Sequence, residues 1–173
     1  MDDPIIVVAH DPQWANQFAQ DRARLLDALR DFNVQIEHIG STSVVGLAAK
    51  PIIDIMIIVE NETDALRSIT PIVRLGCICF GEHGVEGRVY FRDEKPSTRH
   101  LHLYVQDNPE IERHLNFRDY LRVHPDTVQQ YAELKYALAE KFRNDRPGYT
   151  EAKTEFIRGI EARARAERAA GRL

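Results

Sequence analysis

The stretch that most constrains how this chain folds is IIDIMIIV, Ile52 to Val59, an apolar run rich in β-branched residues and interrupted once, by Asp54. Continuous apolarity over a strand's length, without alternation, predicts a strand covered on both faces. A carboxylate in such a strand cannot be solvated. Burying it unpaired costs several kcal/mol, so Asp54 requires a cation, a metal ion or strong hydrogen-bond donors beside it. Side chains alternate along a strand, which puts Asp54 on the face of Ile52, Met56 and Ile58. A purely structural aspartate, bonded to a neighbouring loop, is the competing reading.

The segments around this strand read as a mixed α/β (α+β) arrangement. Ile5 to Ala9 is an edge strand or an extended lead-in. Asp11 is placed to cap a helix with Pro12 at its first position, and Trp14, Phe18, Leu25, Leu26 and Leu29 carry helical spacing to about Phe32. Val34 to Ile39 reads as a strand ending at Gly40-Ser41-Thr42-Ser43, followed by a short helix or turn from Val44 to Ala49. Thr63 to Gly76 reads as a helix despite Pro71. Strands follow at Gly76 to Phe80, Arg88 to Arg92 and Arg99 to Val105, and helices at Glu110 to Val123 and Asp126 to Asn144. The tail from Thr150 is helical and charged, with Glu161 to Arg172 as a solvated face. No repeat or linker divides the 173 residues, so a single domain is expected over 1–173, its C-terminal helix at about 150–173.

Composition narrows the function classes. A net charge of -4 argues against general binding to nucleic-acid backbones, which takes an excess of Lys and Arg. The longest apolar run is too short to span a membrane and contains Asp54, and MDDPIIVVAHDP lacks the basic start of a signal peptide. Cys77 and Cys79, two apart on one strand, rarely meet disulfide geometry and read as reduced, small apolar residues. A cytoplasmic location is expected. Oligomeric state is open.

Three features could carry chemistry. Gly40 permits a tight turn and close approach, and Ser41, Thr42 and Ser43 offer hydroxyl and backbone donors to an anion; the bland alternative is that they cap a helix starting near Val44. Asp54 lies on the next strand. In Arg99-His100-Leu101-His102-Leu103-Tyr104, the residues His100, His102 and Tyr104 share one face, where two imidazoles can share a metal or act as acid–base groups. If the two strands are neighbours, Asp54, His100 and His102 form one site. Lys50, Arg88, Arg92, Arg118, Arg122 and Lys153 could meet a polyphosphate, Arg118 and Arg122 sharing a helix face. Glu110 and His114, also four apart, read as surface decoration.

EHIGSTSVVGLAAKPIIDIMI, RHLHLYV, FRDYLRVHP and YTEAKTEFI, in this order, resemble the signature blocks of the GrpB family over about Ile5 to Ile160. The resemblance implies a nucleotidyltransferase-like (polymerase-β-like) mixed β-sheet with packed helices and a helical C-terminal region. It also implies a phosphate loop at Gly40-Ser41 and a catalytic strand bearing Asp54. Enzymes of that superfamily pair two carboxylates, D-x-D, to hold two metal ions across a triphosphate. Here the second position is Met56, a poor ligand for Mg²⁺, and the later strand carries histidines. Three readings stay open. One is metal-dependent nucleotidyl or phosphoryl transfer at an altered site: Asp54, His100 and His102 would be catalytic and hold Mg²⁺, Mn²⁺ or Zn²⁺, while Gly40, Ser41, Thr42, Ser43, Lys50, Arg118, Arg122 and Lys153 would bind the nucleotide or phosphate ester. The second is a non-catalytic sensor or accessory module for such a ligand. The third is a hydrolytic or ligase-like reaction with His100 or His102 as base.

Overall fold

The computed structural model describes residues 4–94 and 96–173. Among them, six α-helices accompany a five-stranded sheet of order β1-β2-β5-β4-β3. The strands are β1 (Val34–Ile39), β2 (Ile53–Val59), β3 (Cys77–Cys79), β4 (Arg88–Asp93) and β5 (Arg99–Val105). β2 and β5 pair in parallel, and every other pair is antiparallel. The apolar run is therefore an interior strand, as its lack of alternation predicts. Ile53, Ile55, Ile57 and Val59 bury one face with Trp14 and Leu25 of α1 (Gln13–Ala28), Leu29 at its C-terminal cap, and Ala65 and Ile72 of α2 (Glu62–Arg74). On the other face, Met56 packs with Ile39 and Tyr104 beneath Ile111 and Leu115 of α3 (Pro109–Val123).

A helical layer completes that second side: α3, α4 (Pro125–Lys141), α5 (Arg146–Ala152) and α6 (Thr154–Ala169). Its core joins Tyr120, Leu121, Tyr131, Ile160 and Ala164 to Val44 and Leu47 from the loop before β2. These two loop residues pin the turn after β1 to the helices, which sets the space between sheet and helical layer.

Several elements differ from the expectations. Of the two readings of Ile5 to Ala9, the extended lead-in holds: it is no strand of the sheet, and its β pairing is an isolated bridge from Val8 to Ala49. Helix α1 starts one residue late, with Asp11 accepting from the Gln13 amide at 2.9 Å. Of the helix or turn expected from Val44, the turn is what forms: Ser41–Ser43 themselves make one 3-10 turn, and Gly46, at φ 82°, takes a left-handed conformation that ends any helix. The C-terminal region is two helices. Asp145 caps α5 through the Gly148 amide, and the chain breaks at Lys153 before α6. Glu161 is buried against Arg113 at 2.7 Å, so that end of the supposed solvated face is an interface. Both cysteines are free thiols. Among the described residues no helix is long and apolar enough to cross a membrane.

Candidate active site

β1 delivers the chain to the turn with Ile39 opposite Asp54. Gly40 then adopts φ 69°, ψ -171°, a conformation essentially reserved for glycine. A Cβ there would lie 2.5 Å from Asp54 Oδ2 and 3.0 Å from Asp54 Cβ, so glycine is what lets the turn rest against the carboxylate. Two of the three hydroxyls are spent on the turn. Ser43 Oγ donates to the Gly40 carbonyl at 2.6 Å, and Thr42 Oγ1 donates to the Ile52 carbonyl at 3.3 Å. Thr42 Oγ1 is also 3.0 Å from His38 Nε2, and since its one proton goes to Ile52, the imidazole is the donor. Burial pushes His38 down to about 4, so the ring is neutral at pH 7 and stacks on Phe18. Ser41 faces the other way, into a cavity, and its Oγ accepts from Lys135 Nζ at 3.1 Å.

Arg118 and Arg122 do not enter that cavity. Arg118 bonds Glu37, Asp119 and the His38 carbonyl, and Arg122 donates twice to the Ser43 carbonyl, at 2.9 and 3.1 Å. They clamp the turn from behind. Their (i, i+4) spacing does place both on one face of α3, but that face holds backbone rather than ligand. Ser43 likewise lines a groove on the far side with His38 and Arg122.

Parallel pairing of β2 and β5 sets Asp54 opposite His100 and Met56 opposite His102. Asp54 Oδ1 lies 3.4 Å from both His100 Nδ1 and His102 Nε2. Burial alone would raise the Asp54 carboxyl, but hydrogen bonds from His100 and His102 outweigh it and hold it well below the usual carboxylate range. The proton position on His102 follows from its other side. Arg88 Nη1 lies 3.4 Å from His102 Nδ1, and a guanidinium only donates. Nδ1 therefore accepts, and Nε2 carries the proton toward Asp54. Arg88 is itself fixed by the carbonyls of Glu82 and His83.

The cavity has a volume of about 320 Å³ and opens over Gly40, Ser41, Thr42 and Asp54, with His100 at its side. Three lysines from three elements point into it: Lys50 from the approach to β2, Lys135 from α4 and Lys153 from the break between α5 and α6. Among the described residues none of the three is in an ion pair. Each lies over an aromatic face instead: Lys135 over Tyr131 at 4.5 Å, and Lys50 and Lys153 over Tyr149 at 5.9 and 4.1 Å. Burial, reinforced by Lys153 and Lys50, lowers Lys135 to about 7. Burial and then Lys50 lower Lys153 to about 8. Lys50 is lowered by burial and by Arg146. Such crowding of one buried and two half-buried ammoniums is costly in the free protein and suits a site for multivalent anions.

Sequence reasoning found Gly40, Ser41, Thr42, Lys50, Asp54, His100 and Lys153, and the fold brings all of them to this cavity. It passed over Lys135, one lysine in a helix of mixed polarity, and read His114 as surface, whereas His114 lines the wall and burial depresses it to about 3. Nothing local singles out Lys135; its partner Ser41 is 94 residues away.

The donor set does not suit a pair of Mg²⁺ ions. Met56 is 0 % exposed in the core, leaving Asp54 as the one carboxylate at the floor, and His102 presents a proton rather than a lone pair. Among the described residues no group of three or more His, Cys, Asp or Glu side chains is spaced to hold a metal ion.

The five-stranded mixed sheet, with a glycine-serine turn beside a carboxylate-bearing interior strand, is that of the nucleotidyltransferase fold. Cid1 in complex with its short product ApU superposes with a TM-score of 0.53 at 15% identity, over 78% of this chain and 43% of that one, a likeness of fold alone. The chain belongs to the GrpB family, whose model, GrpB protein, matches residues 4–163. The crystal structure of conserved protein GrpB from Enterococcus faecalis aligns with a TM-score of 0.86 and 40% identity, over 92% of this chain and 96% of that one. UPF0157 protein PA4798 of Pseudomonas aeruginosa is 39% identical over 94% of this chain and 69% of its own length. UPF0157 protein YqkA of Bacillus subtilis is 38% identical over 92% of this chain, which spans only 47% of YqkA.

Proposed function

We propose that the cavity binds a phosphate-bearing small molecule of the nucleotide class, its phosphates lying against Gly40, Ser41 and Thr42 between Lys50, Lys135 and Lys153. The observation that carries this reading is the convergence of three ammonium groups on one cavity, none of them in an ion pair among the described residues, beside Asp54 and a Glu161 already paired with Arg113. Arg113 adds no net charge, because Glu110 and Glu161 already hold it. Anions bound there gain charge-assisted hydrogen bonds in a poorly solvated site. The nucleotide class rests on the fold: structures of Cid1 are described with MgGTP and with the UTP analogue UMPNPP. The test is thermal shift and calorimetry with nucleoside triphosphates, pyrophosphate and orthophosphate, with and without divalent cations. A ligand at 100 times its Kd stabilises by about 2.7 kcal/mol. Flat responses from wild type, or responses unchanged in Lys153→Met, would sink the reading.

A second reading, nucleotidyl or phosphoryl transfer, is favoured by Asp54, an ionised carboxylate held beside the turn where an acceptor hydroxyl would need orienting. Pyrophosphate or phosphate release that depends on Asp54 supports transfer. Binding without turnover supports a sensor or accessory module.

A further inference from the structure

Ser41 and Lys135 have a relationship that anion binding does not require. Lys135 is 3 % exposed, and its Nζ contacts one hydroxyl, that of the residue at the cavity floor. Thr42 and Ser43 have their hydroxyl protons engaged by backbone carbonyls, whereas the Ser41 Oγ reaches no carbonyl and opens onto the cavity. A serine hydroxyl is a weak nucleophile until a neighbouring base takes its proton, and a buried lysine near other cations is such a base because its ammonium form is disfavoured. At 3.1 Å the pair stands within proton-transfer distance.

We propose that Ser41 is a nucleophile with Lys135 as its general base, and that the cavity accepts an acyl group from a phosphate-bearing ester or thioester. The phosphate arm rests on Lys50 and Lys153 alone, leaving Lys135 to Ser41, a narrower placement that still depends on the anion-binding reading above. In the forward step, Ser41 Oγ attacks the acyl carbon as its proton passes to the neutral Lys135 amine. The bond from the acyl carbon to the leaving oxygen or sulfur breaks, and the departing group takes the proton back. Water then cleaves the Ser41 ester, with the same amine as base, and releases a carboxylic acid.

The base is open in the accessible range: burial and the charges of Lys153 and Lys50 bring Lys135 to about 7. The other ionisable groups around the cavity are Asp54 on β2, His100 on β5, Arg113 and His114 on α3, Tyr131 on α4, Tyr149 on α5 and Glu161 on α6. Of these, His114 is depressed to about 3, burial raises Tyr131 and Tyr149, and Arg113 and Glu161 are paired.

The test uses p-nitrophenyl acetate, a neutral activated ester that does not need the phosphate arm. Full-length protein should release p-nitrophenolate in a burst and gain one acetyl group, mapped by peptide mass spectrometry to Ser41. The burst rate should rise with pH through about 7, as Lys135 loses its proton. Ser41→Ala should abolish the burst, and Lys135→Met should slow it on the order of 100-fold, the scale of a lost general base. Acetyl groups found on Lys135 or only on surface lysines of wild type would overturn the proposal, with no reliance on a variant that folds. So would a burst that persists in folded Ser41→Ala. Pyrophosphate binding, measured separately, reports on the anion reading, so either can fail alone.

Discussion

The Asp54 carboxylate occupies the space a side chain at Gly40 would need. Oδ2 lies 2.5 Å from the position of a Cβ on Gly40, which itself sits at φ 69°. Backbone conformation, turn and acidic group are thus one interlocked unit, and a change in either residue is felt by the other.

Gly40→Ala therefore carries two penalties, a conformation that L-residues avoid and a collision with Asp54. The expected loss is roughly 1–3 kcal/mol from the backbone alone, increased by whatever shift the carboxylate makes. Urea unfolding of the variant measures it. A midpoint equal to wild type would mean that the turn can relax away from β2.

Asp54→Asn keeps the volume and removes the charge. Because His100 and His102 hold the carboxyl below its ordinary value of 3.8, ionised Asp54 contributes stability that is present above that pH and lost as pH falls below it. The variant should be less stable near neutrality by about 1–3 kcal/mol, the scale of hydrogen bonds to a charged group, and the gap should close on acidification. Parallel urea melts across the acid range read this out, and a gap that widens toward low pH would contradict it.

Lys135→Met should stabilise the free protein while weakening anion binding. The folded-state value of about 7 lies below the ordinary lysine value of 10.5, so protonated Lys135 opposes folding. That penalty is full below about pH 7 and is relieved as pH rises toward 10.5. The variant should gain roughly 1–3 kcal/mol near neutrality, less at higher pH. Wild-type affinity for pyrophosphate should fall as pH rises through about 7 and about 8, where Lys135 and Lys153 lose charge. Calorimetry and thermal melts on both proteins check the pair of expectations, and a destabilised variant would contradict the first.

Arg88 should fix the proton of His102 on Nε2. Nitrogen-15 chemical shifts of the ring distinguish the two tautomers directly. A proton on Nδ1 would remove the argument that His102 serves Asp54 as a donor. Arg88→Gln, which presents a side chain able to accept as well as donate, should allow the other tautomer to appear.

Much of the frame is legible from periodicity. β1 and β5 begin and end where expected, at Val34–Ile39 and Arg99–Val105, because apolar alternation and flanking polar residues mark them. Asp54 stands out as a charge in an apolar strand, and its pairing with the His100 and His102 face needs only the assumption that β2 and β5 are neighbours. The loop after β1 was less legible. Its serines and threonine resemble helix caps, and only the positive φ of Gly46 and the burial of Val44 and Leu47 in the helical layer show why no helix follows.

By itself, then, the sequence determined which residues would be strand, which face would be apolar, and that one carboxylate had to find partners. Those outcomes depend on interactions over a few residues and on the cost of burying charge. Tertiary structure decided which of the candidate cations meet that carboxylate's cavity, and added Lys135. Docking of α4 and of the α5–α6 break aims Lys135 and Lys153 inward, while packing of α3 turns Arg118 and Arg122 onto the backbone of the turn. Spacing along a helix places two cations on one face, but what that face meets depends on partners far away in the chain, 80 residues between Arg118 and His38 and 94 between Lys135 and Ser41.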